Sequence, residues 1–350
     1  TDLITGYTGS STTTHARVAT AIREISAASE NPGAFALGSN VEWAANTIAI
    51  RGVTFTIPSS ASNVITIRNG HIVTVTAATS ADQCTIEAGG QVTVNTGQTW
   101  TIADGTGTDL TVDGTVVNSG TMTMTGTAVY NASSIYQHAQ NAGTIPTASW
   151  NATSTCNVTG VTNVMPAGIG QNFGHLTWNC AAQSGDVYFN TNMAIQGNFT
   201  VADVNNQQIG LTNNSTGRTF SIGGDCIIQA NSDVRAAISS GAAAITVSGN
   251  YSQTGGVFYV TDGTTATSSL VISGDFTQSA GDFRSSDNTG ACTTTVGGNL
   301  NLSGTGLIRP VSDDGAVTFS VTGNVVITGG EFRLKEDNGN ATFNVTGNYT

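Results

Sequence analysis

The chain has 350 residues and a formal net charge of −12, yet only 9% of its residues are charged, against about 25% in an ordinary globular domain. Gly, Thr, Ser and Asn fill the gap, which points to turns and outward hydroxyls rather than charged helix faces. No Lys or Arg lies between Arg68 and Arg218, and Lys335 is the single lysine. That excludes a basic groove for nucleic acid and argues against an anionic membrane surface. No apolar run reaches the ~18 residues of a membrane-spanning helix, so no membrane insertion is expected.

Residues 1–40 read as an N-terminal cap. From Thr14 to Ser29 (THARVATAIREISAAS), Ala16, Val18, Ala19, Ile22 and Ile25 form an apolar face, and Pro32-Gly33 ends the pattern. The spacing predicts a helix over 14–29. A solenoid needs such a cover, because its first coil exposes an unpaired edge and an open core.

Residues 41–130 read as short-strand coils. Val73-Thr74-Val75, Cys84-Thr85-Ile86, Val92-Thr93-Val94, Trp100-Thr101-Ile102, Leu110-Thr111-Val112 and Met122-Thr123-Met124 each place two apolar residues around one Thr. Alternation turns the apolar pair inward and the Thr outward, and three such segments make one coil. Residues 131–196 read as an irregular module within the same solenoid.

Residues 197–350 carry the clearest signal. Gly-Asn or Gly-Asp recurs at Gly197, Gly224, Gly249, Gly274, Gly298, Gly323 and Gly347, about 25 residues apart, as in a repeat architecture. Two residues before the Gly stand Ile222, Val247, Ile272, Val296, Val321 and Val345. Two further back are Phe220, Ile245, Leu270, Thr294, Phe319 and Phe343. Two after it come Phe199, Cys226, Tyr251, Phe276, Leu300, Val325 and Tyr349. Strand, corner, strand is the implied unit, with Gly supplying φ > 0 and Asn or Asp tolerating αL. Phe258, Phe283, Leu307 and Phe332, nine residues after the Gly, mark a third strand. The fold class is therefore all-β: a right-handed parallel β-helix of about 25 residues per coil. Gln253 and Gln278 share one inward position, and stacking is expected to let the amides satisfy each other. The coils are expected to continue beyond Thr350, and a leader to have preceded Thr1.

Cys84, Cys226 and Cys292 sit at inward positions as small hydrophobes, whereas Cys156 and Cys180 are candidates for a disulfide. Sequons such as Asn131, Asn151, Asn198 and Asn344 arise mostly from the abundance of Asn and Thr. The histidines His15, His71, His138 and His175 are isolated, with no metal-ligand spacing.

A parallel β-helix invites an enzyme reading, but no catalytic residue is assigned. Asp313-Asp314 and Arg333-Leu334-Lys335 superficially resemble polygalacturonase elements, without the Gly-His-Gly that accompanies them. The pair reads as a polar turn, and Arg333 and Lys335 as outward strand residues. The turn after the third strand is acidic in four successive coils, at Asp262, Asp287, Asp314 and Asp337. Stacked ~4.8 Å apart, these carboxylates repel unless a cation bridges them. They are candidate calcium ligands, against the plainer reading of solvated turns; no other cofactor is implied. Outward Thr also raises an ice-binding face, which needs two threonine columns on one side. Thr74, Thr85, Thr93, Thr101, Thr111 and Thr123 fall on different faces, and the downstream coils are not expected to continue the triple Thr121, Thr123, Thr125.

The stretch NVITIRNGHIVTV (Asn63 to Val75) resembles the opening of solenoids in large Bacteroidota surface proteins. The pieces TIPTASWNATSTCNVTGVT and GQNFGHLTWNC, between Gly143 and Cys180, resemble a recurrent module of those proteins. The resemblance covers nearly all of the chain beyond residue 40. It implies export by the type IX secretion system, an extracellular, cell-surface-anchored location, and kinship with gliding-motility and attachment adhesins. The expected function is a structural or adhesive stalk. Its partners are a surface polysaccharide or an abiotic surface met through other domains, and itself by self-association. The alternatives are a polysaccharide-active β-helix enzyme and a self-assembling extracellular fibre subunit.

Overall fold

A computed structural model describes Ile4–Gly6, Thr20–Ile22 and residues 58–350 apart from 63 and 64. Two units are distinguished, Thr1–Phe55 and Thr56–Thr350. In the first, Ile4–Gly6 pairs antiparallel with Thr20–Ile22. The helix expected over 14–29 is therefore replaced by strand at 20–22, and the rest of it lies outside the described residues. Thr and Ile are β-branched, lose rotamer freedom in a helix and suit a strand.

The second unit is a parallel β-solenoid of about 11 turns and about 24 residues per coil, with no helix among the described residues. Most coils have three strands; the two that begin at Ala128–Tyr130 and Ser149–Trp150 have two. The first of the series runs through Ile72–Val75, Gln91–Val94 and Thr115–Asn118 and passes without a break to Leu300–Leu302 and Val325–Ile327. Parallel pairing also crosses residues 131–196, where the connections lengthen and three strands shrink to two residues. Two coils fuse their first and second strands into Tyr251–Thr261 and Phe276–Ser286. These bend at Gly256 and Gly281, whose φ values of 62° and 87° would strain any other residue.

The core is a set of stacked ladders. Ile222, Val247, Ile272, Val296, Val321 and Val345 pair in register as one column. Phe220, Ile245, Leu270, Thr294, Phe319 and Phe343 form the next. Thr294 is fully buried in that apolar column, and Ser285 Oγ satisfies its hydroxyl at 2.6 Å. The third-strand column differs by one residue from expectation. Phe283 stacks on Ile308, which stacks on Phe332, while Leu307 pairs with Asp282 and Glu331. The turn through Gly304 (φ 59°) takes in one extra residue, which a count from the Gly-Asn corner cannot see.

The Gly-Asn corner also works otherwise than expected. None of its seven glycines has positive φ. A Cβ on Gly224, Gly249, Gly274 or Gly298 would instead lie 2.2–2.4 Å from the Asn or Asp oxygen of the preceding coil. That oxygen is occupied. Asn198 Oδ1 accepts the Asp225 backbone N–H at 2.9 Å, Asp225 accepts from Asn250 at 2.7 Å, and Asn250 from Asp275 at 2.9 Å. The series continues through Asp275, Asn299 and Asn324 to the N–H of Asn348. His175 Nδ1 starts it by accepting from the Asn198 N–H at 2.8 Å. The repeat thus encodes a hydrogen-bonded spine along one corner, in which Gly is required for clearance. Asp never follows Asp, so like charges do not stack.

Candidate functional site

The four expected calcium ligands do not converge. Asp314 and Asp337 are exposed, while Asp262 and Asp287 are half-buried. Among the described residues no group of three or more His, Cys, Asp or Glu is placed to hold a metal ion. Arginine answers the repulsion instead.

One outward column carries Arg235, Tyr259, Arg284, Arg309 and Arg333 in successive coils. Arg235 holds Asp233 on its own strand through Nε (2.9 Å) and Nη2 (3.0 Å), and reaches Asp262 in the next coil through Nη1 at 2.7 Å. Arg284 binds Asp282 at 2.8 Å and also Asp287, whose other donor is Ser312 Oγ at 2.6 Å. Arg309 bonds Asp282 one coil back and Glu336 one coil on, the latter at 2.9 Å. Arg333 joins Glu331 and, at 2.7 Å, the same Glu336. Tyr259 lies between two guanidiniums: the Arg235 and Arg284 Cζ atoms stand 4.9 Å and 4.7 Å from its ring centroid.

Electrostatics follow from this pairing. Partial burial pushes the Glu336 carboxyl up, but the hydrogen bonds and charge of Arg309 outweigh it and hold the group below the usual range. Burial disfavours the charged form of Arg235, and its bonds to Asp233 and Asp262 more than restore it. A carboxylate clasped this way stays ionised with its oxygens occupied. The column therefore fastens coil to coil, a use of planar guanidinium forks that Lys could not copy. Of these carboxylates the sequence singled out Asp262 and Asp287, while Asp233, Asp282 and Glu331 emerged only with the register. The arginines, scattered singly about 25 residues apart, needed the register to be seen as one column.

Buried polar groups inside the solenoid form a second cluster. His138 is fully buried; its ring Nε2 donates to the Ala142 carbonyl at 2.7 Å, and Nδ1 faces Tyr136 Oη at 3.4 Å. Tyr136 Oη accepts from Asn118 Nδ2 at 3.0 Å. Burial lowers the imidazole pKa, the Ala142 bond opposing only in part, so the ring is neutral. Gln253 and Gln278 stack in register as expected but do not bond to each other. Gln253 Nε2 donates to Gly255 and Gly256 carbonyls at 3.1 Å, and Gln278 Nε2 to Gly281 and Leu307 carbonyls at 2.9 and 3.2 Å. The bend glycines leave those carbonyls pointing inward, closer than the neighbouring amide.

All five cysteines are free and buried, Cys156 and Cys180 included. Cys156 pairs with Leu176, four residues before Cys180. That offset, about 13 Å along a strand, is beyond disulfide reach. Burial pushes the thiols up, to about 12 for Cys84, Cys180, Cys226 and Cys292, so none is a ready nucleophile. A hollow bordered by Met122, Met124 and Pro146 is lined by no titratable side chain.

Another surface was missed in the sequence. The eight-stranded sheet from Asn172–Phe173 to Asn340–Val345 stacks Thr293, Thr318 and Thr342 in one outward column. Thr246, Val271, Thr295 and Ser320 form a second column beside it. Upstream, Thr66, Thr85 and Thr111 stack on one face and Thr74 and Thr93 on another, so consecutive Thr segments do diverge as expected. The downstream coils, however, build a paired array that was not expected, because Ser, Ala and Val interrupt it in the sequence.

These features define the chain as a parallel β-solenoid clasped by an arginine–carboxylate ladder. No protein-family model, curated protein or solved structure matches it.

Proposed function

We infer that this chain is a rigid spacer in a large secreted protein anchored at the cell surface, an adhesive stalk serving attachment or gliding motility. The observation that carries this reading is the unbroken coil-to-coil bonding. The same corner is hydrogen-bonded from His175 to Asn348, and the arginine column adds a second fastening along a different side. A rod bonded around its whole cross-section resists bending and holds other domains away from a surface. At the usual strand spacing, about 11 coils span about 50 Å. The low charge and the resemblance of residues 63–75 and 143–180 to surface solenoids support an extracellular setting. Binding to polysaccharide or abiotic surfaces then belongs to turns or to other domains, and this segment performs no catalysis.

Coil deletion in the parent protein tests the reading. Removing 251–275, one repeat, should shorten the surface structure by one strand spacing while export continues; loss of a length dependence over serial deletions would refute the spacer. Incubation with neutral and acidic polysaccharides should release no oligosaccharide. Release abolished by Asp314→Asn would establish an enzyme instead.

A further inference from the structure

The eight-stranded sheet is the longest of the solenoid's sheets without a register shift. Its pairings run in register with no bulge, whereas the neighbouring sheet shifts at Gln253 and Thr254. Strands lie ~4.8 Å apart and alternate residues ~6.7 Å apart along each strand, so its outward side chains form a two-dimensional lattice. In the six strands from Arg218–Ile222 to Asn340–Val345, Thr or Ser occupies five of six positions in one column and four of six in the other, with Ala, Val and Asn at the rest. No charged residue stands in either column, although the chain as a whole carries −12. Threonine is restricted at χ1, so its hydroxyl and methyl sample few orientations.

We propose that this face binds ice. Its ligand is the ordered water of a crystal surface, with hydroxyls taking lattice positions and methyls ordering the water between them. The two repeat distances approach those of water oxygens on the prism plane of ice. Neutrality is the complementary property, because an ion on this face would hold its own hydration shell against the lattice. A polysaccharide fits less well: the sheet's aromatic residues Phe173, Phe220 and Phe319 are buried, Phe343 packs against the core beside them, and none offers a stacking platform. A second copy of the chain fits less well too. Val271 is the one large apolar residue exposed in the two columns, and buried hydroxyls without partners are costly. The inference is independent of the spacer reading; a stalk that binds ice along its side is itself an attachment surface.

The test uses the purified 350-residue chain, dye-labelled at Lys335, the single lysine, which is exposed on another side. A growing ice hemisphere should take up the label on defined planes, and the chain should suppress ice recrystallisation. The double variant Thr293→Lys, Thr318→Lys should lose at least about tenfold in recrystallisation inhibition by carrying charge onto the lattice. Thr277→Lys, exposed on the strand Phe276–Ser286 of another sheet, should keep it. Circular dichroism melts check folding, and the smaller Thr293→Ala, Thr318→Ala pair repeats the comparison without charge. Exclusion of the unaltered chain from ice, or undiminished activity of either face variant when folded, overturns the proposal.

Discussion

Tyr251 donates its phenolic hydrogen to Gln253 Oε1 at 2.9 Å inside the core, and one coil on, Phe276 stands where Tyr251 stands while Gln278 stacks on Gln253. Phe276 has no hydroxyl, and Gln278 Oε1 is buried without a partner. Phe276→Tyr should therefore stabilise the protein by about 1 kcal/mol, the net worth of a buried hydrogen bond. Tyr251→Phe should cost about 1–3 kcal/mol by orphaning Gln253 Oε1. Urea unfolding midpoints of the two variants should move in opposite directions; a shared direction would sink the account.

The corner spine predicts unequal effects at adjacent residues. Asn250→Ala removes the acceptor for the Asp275 N–H and should cost about 1–2 kcal/mol. Gly274→Ala should cost about as much or more through crowding, since its Cβ would lie 2.4 Å from Asn250 Oδ1 and 2.7 Å from the Gly249 carbonyl. Combining the two should not rescue stability, because the backbone clash remains. A double-mutant cycle by chemical denaturation measures this.

In the arginine column, position decides the outcome. Arg284→Ala should cost about 1–3 kcal/mol: its side chain is 16% exposed, and its loss leaves Asp282 with Arg309 and Asp287 with Ser312 alone and uncovers one face of Tyr259. Arg333→Ala, at the exposed end, should shift the midpoint little. Neither added calcium nor a chelator should change the melting temperature, because the half-buried carboxylates already have guanidinium partners. A calcium-dependent rise would restore the cation reading.

His138 sets a pH dependence. Its folded pKa is below the ordinary ~6.5 of the unfolded chain. The unfolded state therefore binds more protons, and stability falls as pH drops from about 6.5 toward the folded value; above 6.5 the contribution is constant. His138→Gln should lose this slope between pH 7.5 and pH 5 while weakening the fold overall. Denaturation at the two pH values compares the chains.

The cysteines give a chemical check. A thiol reagent should find all five unreactive in the native chain and all five available in denaturant without reductant. Three titrated thiols would mean that Cys156 and Cys180 had paired after all.

By itself the sequence determined the coil. Apolar residues two apart, returning every 25 or so, can be buried only by stacking repeats, so the columns of Val321 and Phe319 were legible before any coordinates. Tertiary register decided the rest, since it sets which outward residues meet. Outward positions carry no hydrophobic constraint and vary freely, so Arg235, Tyr259 and Arg284, or Thr293 and Thr318, look unrelated along the chain. A one-residue difference in a turn moved Ile308 rather than Leu307 into the core, and backbone bends at Gly256 and Gly281 took the hydrogen bonds that the stacked glutamines were expected to exchange. Such outcomes depend on where carbonyls and neighbouring coils lie, which is a property of the folded chain and not of residue order.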